Sequence, residues 1–312
     1  MTAAIRIGTR GSALALAQTG QVAERVKVVS GREVEIVRVT TEGDTSRASL
    51  SSLGGTGVFA SALREALLAE DCDLVVHSLK DLPTTPADGL RIGAVPKRAD
   101  ARDAFIARDG ALLADLPEGA SVGTGSPRRV AQLLARRPDL EVRDIRGNID
   151  TRLGFVDSGD LDAVVLAAAG LGRLGRLETV SEFFELSEHP SAPGQGALAI
   201  EARADVPKEL AGVLSSLDHA TSRHTTTAER AVLARLEAGC AAPVGATALI
   251  DNDLLLLTAT VYSPDGAQSL TASHGLVLEG AASDRERLAE ELGARAADEL
   301  LELGAAEFAP LS

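Results

Sequence analysis

Two hydrophobic periodicities alternate over the first two thirds of the chain. Residues 34–40 are rich in β-branched side chains and predict a strand. Phe59, Leu63, Ala66 and Leu67 recur at helical spacing within 58–70, and Leu74-Val-Val-His77 predicts a short buried strand. The rhythm is β-α-β. It resumes with a strand ending near Gly123 and a helix capped by Ser126, with Pro127 at its first position and Val130, Leu133 and Leu134 on its buried face. Arg136-Arg-Pro138 ends that helix. A strand over 140–145, a helix capped by Asn148 and a buried strand over 162–168 follow. The class this predicts is α/β with largely parallel sheets.

Near residue 219 the pattern changes. A helix through Ala228, Val232, Leu233 and Leu236 ends at Gly239, and Leu254–Tyr262 and Gln268–Leu278 read as strands around the turn Ser263-Pro-Asp-Gly266. The capping box Ser283-Asp-Arg-Glu286 predicts a last helix through Leu288, Leu292 and Leu300. These residues predict a small α+β domain. The polar stretch 97–102 and Pro193-Gly-Gln-Gly196 are the expected linkers or hinges, and no internal repeat is visible.

Composition narrows the function. The 312 residues carry a formal net charge of −14 with only 2% aromatic residues, which argues against a nucleic-acid partner, since backbone binding needs positive surface and stacking needs aromatic platforms. No apolar run is long enough to cross a bilayer. Arg6 and Arg10 ahead of Ala13-Leu-Ala-Leu-Ala17 imitate a signal peptide, but the apolar stretch is too short and Gln18 interrupts it, so a cytoplasmic protein is expected. Two distant cysteines, Cys72 and Cys240, form no disulfide framework, and the five histidines show no metal-binding spacing, so no metal is expected.

Against this acidic background, residues 123–152 hold seven Arg and four Asp or Glu. The arginines follow Gly- or Ser-containing turns, in Gly123-Thr-Gly-Ser-Pro-Arg-Arg129 and Arg146-Gly-Asn-Ile-Asp-Thr-Arg152. Any one of them could pair with Asp139, Glu141, Asp144 or Asp150 on the surface; as a set they point to an anionic ligand, because the guanidinium fork matches carboxylate or phosphate. Ligands of open α/β sheets bind beyond the carboxyl ends of the strands. Four such ends carry polar or Gly-rich loops: Ser78-Leu-Lys-Asp81, 123–129, 146–152 and Gly170-Leu-Gly-Arg173. The helix N-terminus at Ser126 adds free N–H groups for an anion. Gly123-x-Gly125 lacks the third glycine of a dinucleotide fingerprint, and no Walker-type motif occurs. Asp81 beside Lys80 is either a turn-capping residue or a working carboxylate. Cys240 sits in a Gly-flanked turn with no local cause for thiolate activation, and Cys72 reads as packing.

Six ordered motifs resemble the hydroxymethylbilane synthase (porphobilinogen deaminase) family: Ile7-Gly-Thr-Arg-Gly-Ser-Ala-Leu-Ala-Leu16, His77-Ser-Leu-Lys-Asp-Leu-Pro83, residues 123–129, Arg146-Gly-Asn-Ile-Asp-Thr-Arg-Leu153, Ala192-Pro-Gly-Gln-Gly-Ala197 and Glu237-Ala-Gly-Cys240. The resemblance implies a covalent dipyrromethane cofactor held by a thioether at Cys240 and a catalytic carboxylate at Asp81. It implies that Arg10, Arg128, Arg129, Arg146, Arg152 and Arg173 hold the acetate and propionate groups of cofactor and substrate, with Ser12, Ser78, Lys80, Thr124, Ser126 and Gln195 beside them and Phe59 on a loop over the site. The implied reaction joins four porphobilinogen molecules head to tail, with loss of ammonia, and releases hydroxymethylbilane with water. The implied partner is that small substrate alone, for a monomer. The implied fold is two domains like type II periplasmic binding proteins, with hinges, plus a small C-terminal α+β domain. Its boundaries here would be 1–97 with 197–217, 102–192, and 218–312. Two positions depart from the family pattern, Thr56 where many members have Lys and Gly125 where Ser is common. A bilobal anion-binding module without catalysis would use the same sheets, but needs neither Cys240 nor a third domain. A thiol hydrolase pairing Cys240 with His219 or His224 would need an oxyanion-hole or triad signature, which the sequence lacks.

Overall fold

The computed structural model describes residues 3–39, 57–239 and 242–311, with only the backbone of 57–59. Thr56 and Cys240 lie outside the described residues, as does the end of the strand expected to reach Thr40. The chain divides into two compact units, Met1–Ala99 with Ala197–Arg223, and Asp100–Gly196 with His224–Ser312.

In the first unit the strands β1 (Ile5–Thr9), β2 (Val34–Arg38), β3 (Leu74–Ser78), β4 (Leu90–Ala94) and β10 (Leu198–Arg203) form one sheet in the order β2-β1-β3-β10-β4. Strands β1, β2 and β3 are parallel, and β10 runs antiparallel between β3 and β4. Alternation along β10 assigns its faces: Leu198, Ile200 and Ala202 pack with Val22 and Val26 of α1 (Ala13–Ser30) and Leu210 and Leu214 of α6 (Lys208–Leu217). Ala197 and Ala199 pack on the other side with Ala60 of α2 (Gly57–Leu68).

The second unit repeats that order with β5 (Asp103–Ala107), β6 (Ser121–Gly123), β7 (Glu141–Arg143), β8 (Ala163–Ala167) and β9 (Glu182–Phe183), arranged β7-β6-β8-β5-β9. Here β5 is the antiparallel insert, beside β8. An order 2-1-3-n-4 whose fourth member is antiparallel is the arrangement of type II periplasmic binding proteins. Helices α3 (Pro127–Arg136), α4 (Ile149–Asp157) and α5 (Ala168–Arg173) follow β6, β7 and β8.

The same unit contains an antiparallel sheet of β11 (Val244–Asp251), β12 (Leu254–Tyr262) and β13 (Ser269–Val277), with α8 (Ala282–Glu302) packed on it. Helix α7 (Ala220–Arg235) begins in the first unit and continues in the second. Leu255, Leu257 and Val261 of β12 are buried with Val232, Leu292 and Leu300 in a core drawn only from residues 228–311. Each such side chain contributes about 1.5–3 kcal/mol on burial.

Three local expectations need correction. Residues 170–173 are not a loop but the end of α5, because Leu174 N–H closes back on Gly170 and Leu171 carbonyls. Helix α8 starts earlier than the Ser283 box: Ala281 is its N-cap, and Asp284 Oδ2 accepts the Ala281 N–H at 3.1 Å. Leu133 of α3 is buried as expected, but Val130 and Leu134 are only half-buried and Arg128, Arg129 and Gln132 are inside with it. The buried Asp103 carboxylate accounts for the two arginines.

Candidate active site

In the first unit, Arg10, Ser12, Ser78 and Asp81 line one pocket, together with Gln18, Ala60, Leu63 and His77. The topology brings them there. β1 and β3 are adjacent and parallel, so the turn after β1 (Arg10 to Ser12) and the turn after β3 (Leu79–Asp81) leave the same end of the sheet. Ser12 caps α1, its Oγ accepting the Ala15 N–H at 3.3 Å. Gln18 Nε2 donates to Ser78 Oγ at 2.9 Å, and Leu79 N–H donates to Ala197 O at 3.0 Å, which ties the Asp81 turn to the start of β10. Asp81 and Lys80 are half-buried. Lys80 is not among the pocket-lining residues. Gln18 was not foreseen as a site residue, although a buried polar residue in an otherwise apolar helical run was a visible signal.

In the second unit the arginines divide into two kinds. Arg128 and Arg129 are 3% and 6% exposed and share Asp103, itself 1% exposed. Arg128 Nη1 donates to Asp103 Oδ2 at 2.8 Å, and Arg129 donates to Oδ1 through Nη2 at 2.6 Å and Nε at 3.0 Å. Gln195 Nε2 donates to the same Oδ1 and to Ala101 O, each at 2.8 Å. Burial pushes the Asp103 carboxyl up, but the two guanidinium groups outweigh it and hold the group far below the usual carboxylate range. Asp103 carries this arrangement and nothing in the sequence pattern marked it; its partners lie 25 and 26 residues away.

Arg173 is the other kind. It is half-buried, its Nη2 donates to Gly196 O at 2.8 Å, and no carboxylate pairs with it among the described residues. Burial alone pushes its pKa down to about 10, so it remains charged at neutral pH. A desolvated cation without a counterion is stabilised by any anion brought to it. Arg146 is exposed and pairs with Asp144 at 3.3 Å, while half-buried Arg152 donates from Nε to Gly147 O at 2.9 Å. Surface pairs expected for the cluster form at Asp139 with Arg137, Glu141 with Arg143 and Asp144 with Arg146, whereas Asp150 takes Arg176 from outside it.

Ser126 occupies the N-cap position of α3, but its side chain makes no capping bond, contrary to expectation. Pro127 has no N–H, and the first-turn donors of the helix have no side-chain acceptor among the described residues. Thr124 is fully buried, its Oγ1 accepting the Ser126 N–H at 3.3 Å. Gly125 has a steric cause: a Cβ there would sit 2.8 Å from Ile145 O and 3.2 Å from Asp144 Oδ1, so the Ser common in the family would require these loops to move. Phe59 lies on α2 with its side chain outside the described atoms.

The first unit thus holds the Asp81 carboxylate in a pocket beside Arg10, Ser12 and Ser78, and the second holds Arg173 with no carboxylate paired to it among the described residues. Two family models match the chain: "Porphobilinogen deaminase, dipyromethane cofactor binding domain" over residues 5–210, and "Porphobilinogen deaminase, C-terminal domain" over residues 224–302. Among curated proteins, the porphobilinogen deaminase of Leifsonia xyli is 64% identical, spanning 99% of this chain and 95% of that protein. That of Thermobifida fusca is 52% identical over 97% and 95%. Among solved structures, a periplasmic substrate-binding protein from Coxiella burnetii aligns at 14% identity and a TM-score of 0.44, over 68% of this chain and 91% of that one. The chain belongs to the porphobilinogen deaminase family.

Proposed function

We propose that this protein deaminates porphobilinogen, joins four molecules head to tail on a dipyrromethane attached to Cys240, and releases hydroxymethylbilane. The observation that carries the reading is the match of both family models, which together span residues 5 to 302 apart from a short gap. The donor set fits the cofactor: its rings bear carboxylates, and Arg173 together with the uncapped start of α3 offers charge and N–H groups that no carboxylate in the described chain uses. When bound, the dipyrromethane supplies the primer to which pyrrole units are added.

The remaining work falls to this chain's own residues. Arg173, Arg146, Arg152, Ser126 and Thr124 bind and orient the acidic side chains of the rings, which is the main help a protein can give such a coupling. Arg128, Arg129 and Gln195, locked on Asp103, fix the turn 123–129 from below and reach ligand only through groups that Asp103 does not occupy. In the first unit, Arg10, Ser12, Ser78 and Lys80 surround the end of β3. Asp81 moves a proton to and from the reacting groups and stabilises positive charge developing on a pyrrole nitrogen.

Within the second unit we read residues 218–312 as a domain distinct from 102–192, supported by its separate core, with domain 1 formed by 1–97 and 197–217. We also propose a cytoplasmic monomer.

The test is intact mass spectrometry of the native protein and of Cys240→Ser, alongside porphobilinogen turnover. The reading expects native protein heavier than its sequence by one dipyrromethane and Cys240→Ser at the bare mass and inactive. Fully active protein at the bare mass would overturn it.

A further inference from the structure

One charged cluster lies beside the Asp81 pocket and has no part in the reading above. Glu201, on β10, is 2% exposed. Arg64 of α2 reaches it with Nη2 at 2.9 Å from Oε1 and Nε at 3.1 Å from both oxygens. His77 of β3 places Nε2 at 3.2 Å from Oε2, an ion-pair distance without the alignment of a linear hydrogen bond. Burial pushes the Glu201 carboxyl up, yet His77 and Arg64 more than offset it and keep the group ionised.

The cluster joins β10 to two elements that line the pocket, β3 and α2. β10 and β3 are antiparallel with Ala199 opposite His77, so Glu201 is the diagonal neighbour of His77 on the same face. His77 lines the pocket that holds Asp81, four residues further along the chain. On α2, Arg64 is one turn from Ala60 and next to Leu63, both pocket-lining. A bidentate guanidinium–carboxylate pair fixes direction as well as distance. One carboxylate on β10 therefore sets where α2 places Ala60 and Leu63 and where β3 places the His77 ring. The backbone bond from Leu79 N–H to Ala197 O fixes the Asp81 turn against the same strand.

We propose that Glu201 is a positioning residue for the reaction at Asp81, acting through His77 and Arg64. The inference rests on the porphobilinogen reading. Without the Glu201 carboxylate, Arg64 and His77 lose their shared anchor, and the substrate is held slightly out of place. Misplacement of about 1 Å can cost up to a hundredfold in rate, so a partial shift is expected to cost about tenfold.

The experiment compares cofactor-loaded parent, Glu201→Asp, Glu201→Gln, His77→Gln and the double variant Glu201→Gln/His77→Gln, with occupancy confirmed by mass. Glu201→Gln is expected to lower kcat about tenfold with KM changed less than about twofold, Glu201→Asp to restore part of that loss, and the double variant to be no slower than the worse single, as for residues acting as a unit. A merely structural Glu201 would lower Tm and leave the kcat of loaded protein in place. Glu201→Gln with kcat within about twofold of the parent, or losses that multiply in the double variant, would overturn the proposal. Should Glu201→Gln fail to fold, His77→Gln decides alone: reduced kcat at unchanged Tm supports the proposal and parental kcat overturns it. An inactive parent would defeat the functional reading and this inference together, whereas an active parent with unaffected variants defeats the inference only.

Discussion

The two five-stranded sheets have the same strand order and carry opposite chemistry at corresponding ends. After the first strand of each, a short turn leads to a serine at a helix N-cap. Ser12 commits its hydroxyl to Ala15 N–H, whereas Ser126 makes no such bond and leaves the helix start open. After the third strand, one unit places Asp81 in a pocket and the other ends α5 with Arg173, a guanidinium without a counterion among the described residues. A shared strand order thus places a carboxylate after the third strand of one unit and a guanidinium group in the other. Charge pairing sharpens the contrast within the second unit. Arg128 and Arg129 share the Asp103 carboxylate, while Arg173 donates to Gly196 O and has no carboxylate partner among the described residues. Counting arginines in a sequence cannot separate these roles; the location of the counterion does.

Breaking the satisfied half gives the largest effect on stability. Asp103→Asn leaves two buried guanidinium groups facing a neutral amide, and removing one partner of a buried ion pair costs about 3–5 kcal/mol. Equilibrium denaturation should show that loss, and the surviving folded fraction should load cofactor poorly because the turn 123–129 is no longer held. A Tm equal to the parent's would remove Asp103 from its central place.

A smaller, pH-dependent effect comes from the same buried region. His189 is 2% exposed and stacks on Phe184 at 4.4 Å between ring centroids. Burial, with help from Arg136 and Arg128 and against the pull of Asp103, lowers its pKa from 6.5 to about 4. The unfolded chain therefore takes up a proton between those values while the folded chain does not. The stabilisation is complete above about 6.5, declines as pH falls towards about 4, and is worth at most about 3 kcal/mol. Stability curves at several pH values should lose this slope in His189→Gln; a slope retained in the variant would assign it to other groups.

Much of the scaffold was legible in the sequence because its signals are local. The β-branched run of β2, the apolar run of β3, the Asn148 cap and the boundaries of β12 each follow from a few adjacent residues. Ser78 and Asp81 follow from the rule that ligands gather at strand ends, Arg10 and Ser12 follow only from the family resemblance, and the structure places all four on one pocket. Non-local pairing was beyond reach. β10 inserts between β3 and β4 more than a hundred residues after them, so its place in the first sheet leaves no periodic trace. The same distance hid Glu201. Asp103 begins a buried strand like any other, and only the antiparallel placement of β5 beside β8 brings it under α3. The repeated strand order leaves no repeat in the sequence, and only the family resemblance, with its two like domains, points to it.

The division between a region that reacts and a region that holds is tested most directly by one mass-spectrometric experiment. Cofactor-loaded parent, Asp81→Asn and Arg173→Leu are each mixed with limiting porphobilinogen, and the number of substrate units retained per protein is followed in time. Asp81→Asn should take up even the first unit about 10²–10⁴ times more slowly than the parent, the loss expected for acid–base help. Arg173→Leu should take up early units at nearly the parental rate and then slow about tenfold to a hundredfold at a later one, as one charge-assisted hydrogen bond of about 1.5–3 kcal/mol is missing. Equal slowing of both variants at every unit, or near-parental uptake by Asp81→Asn, would contradict the division.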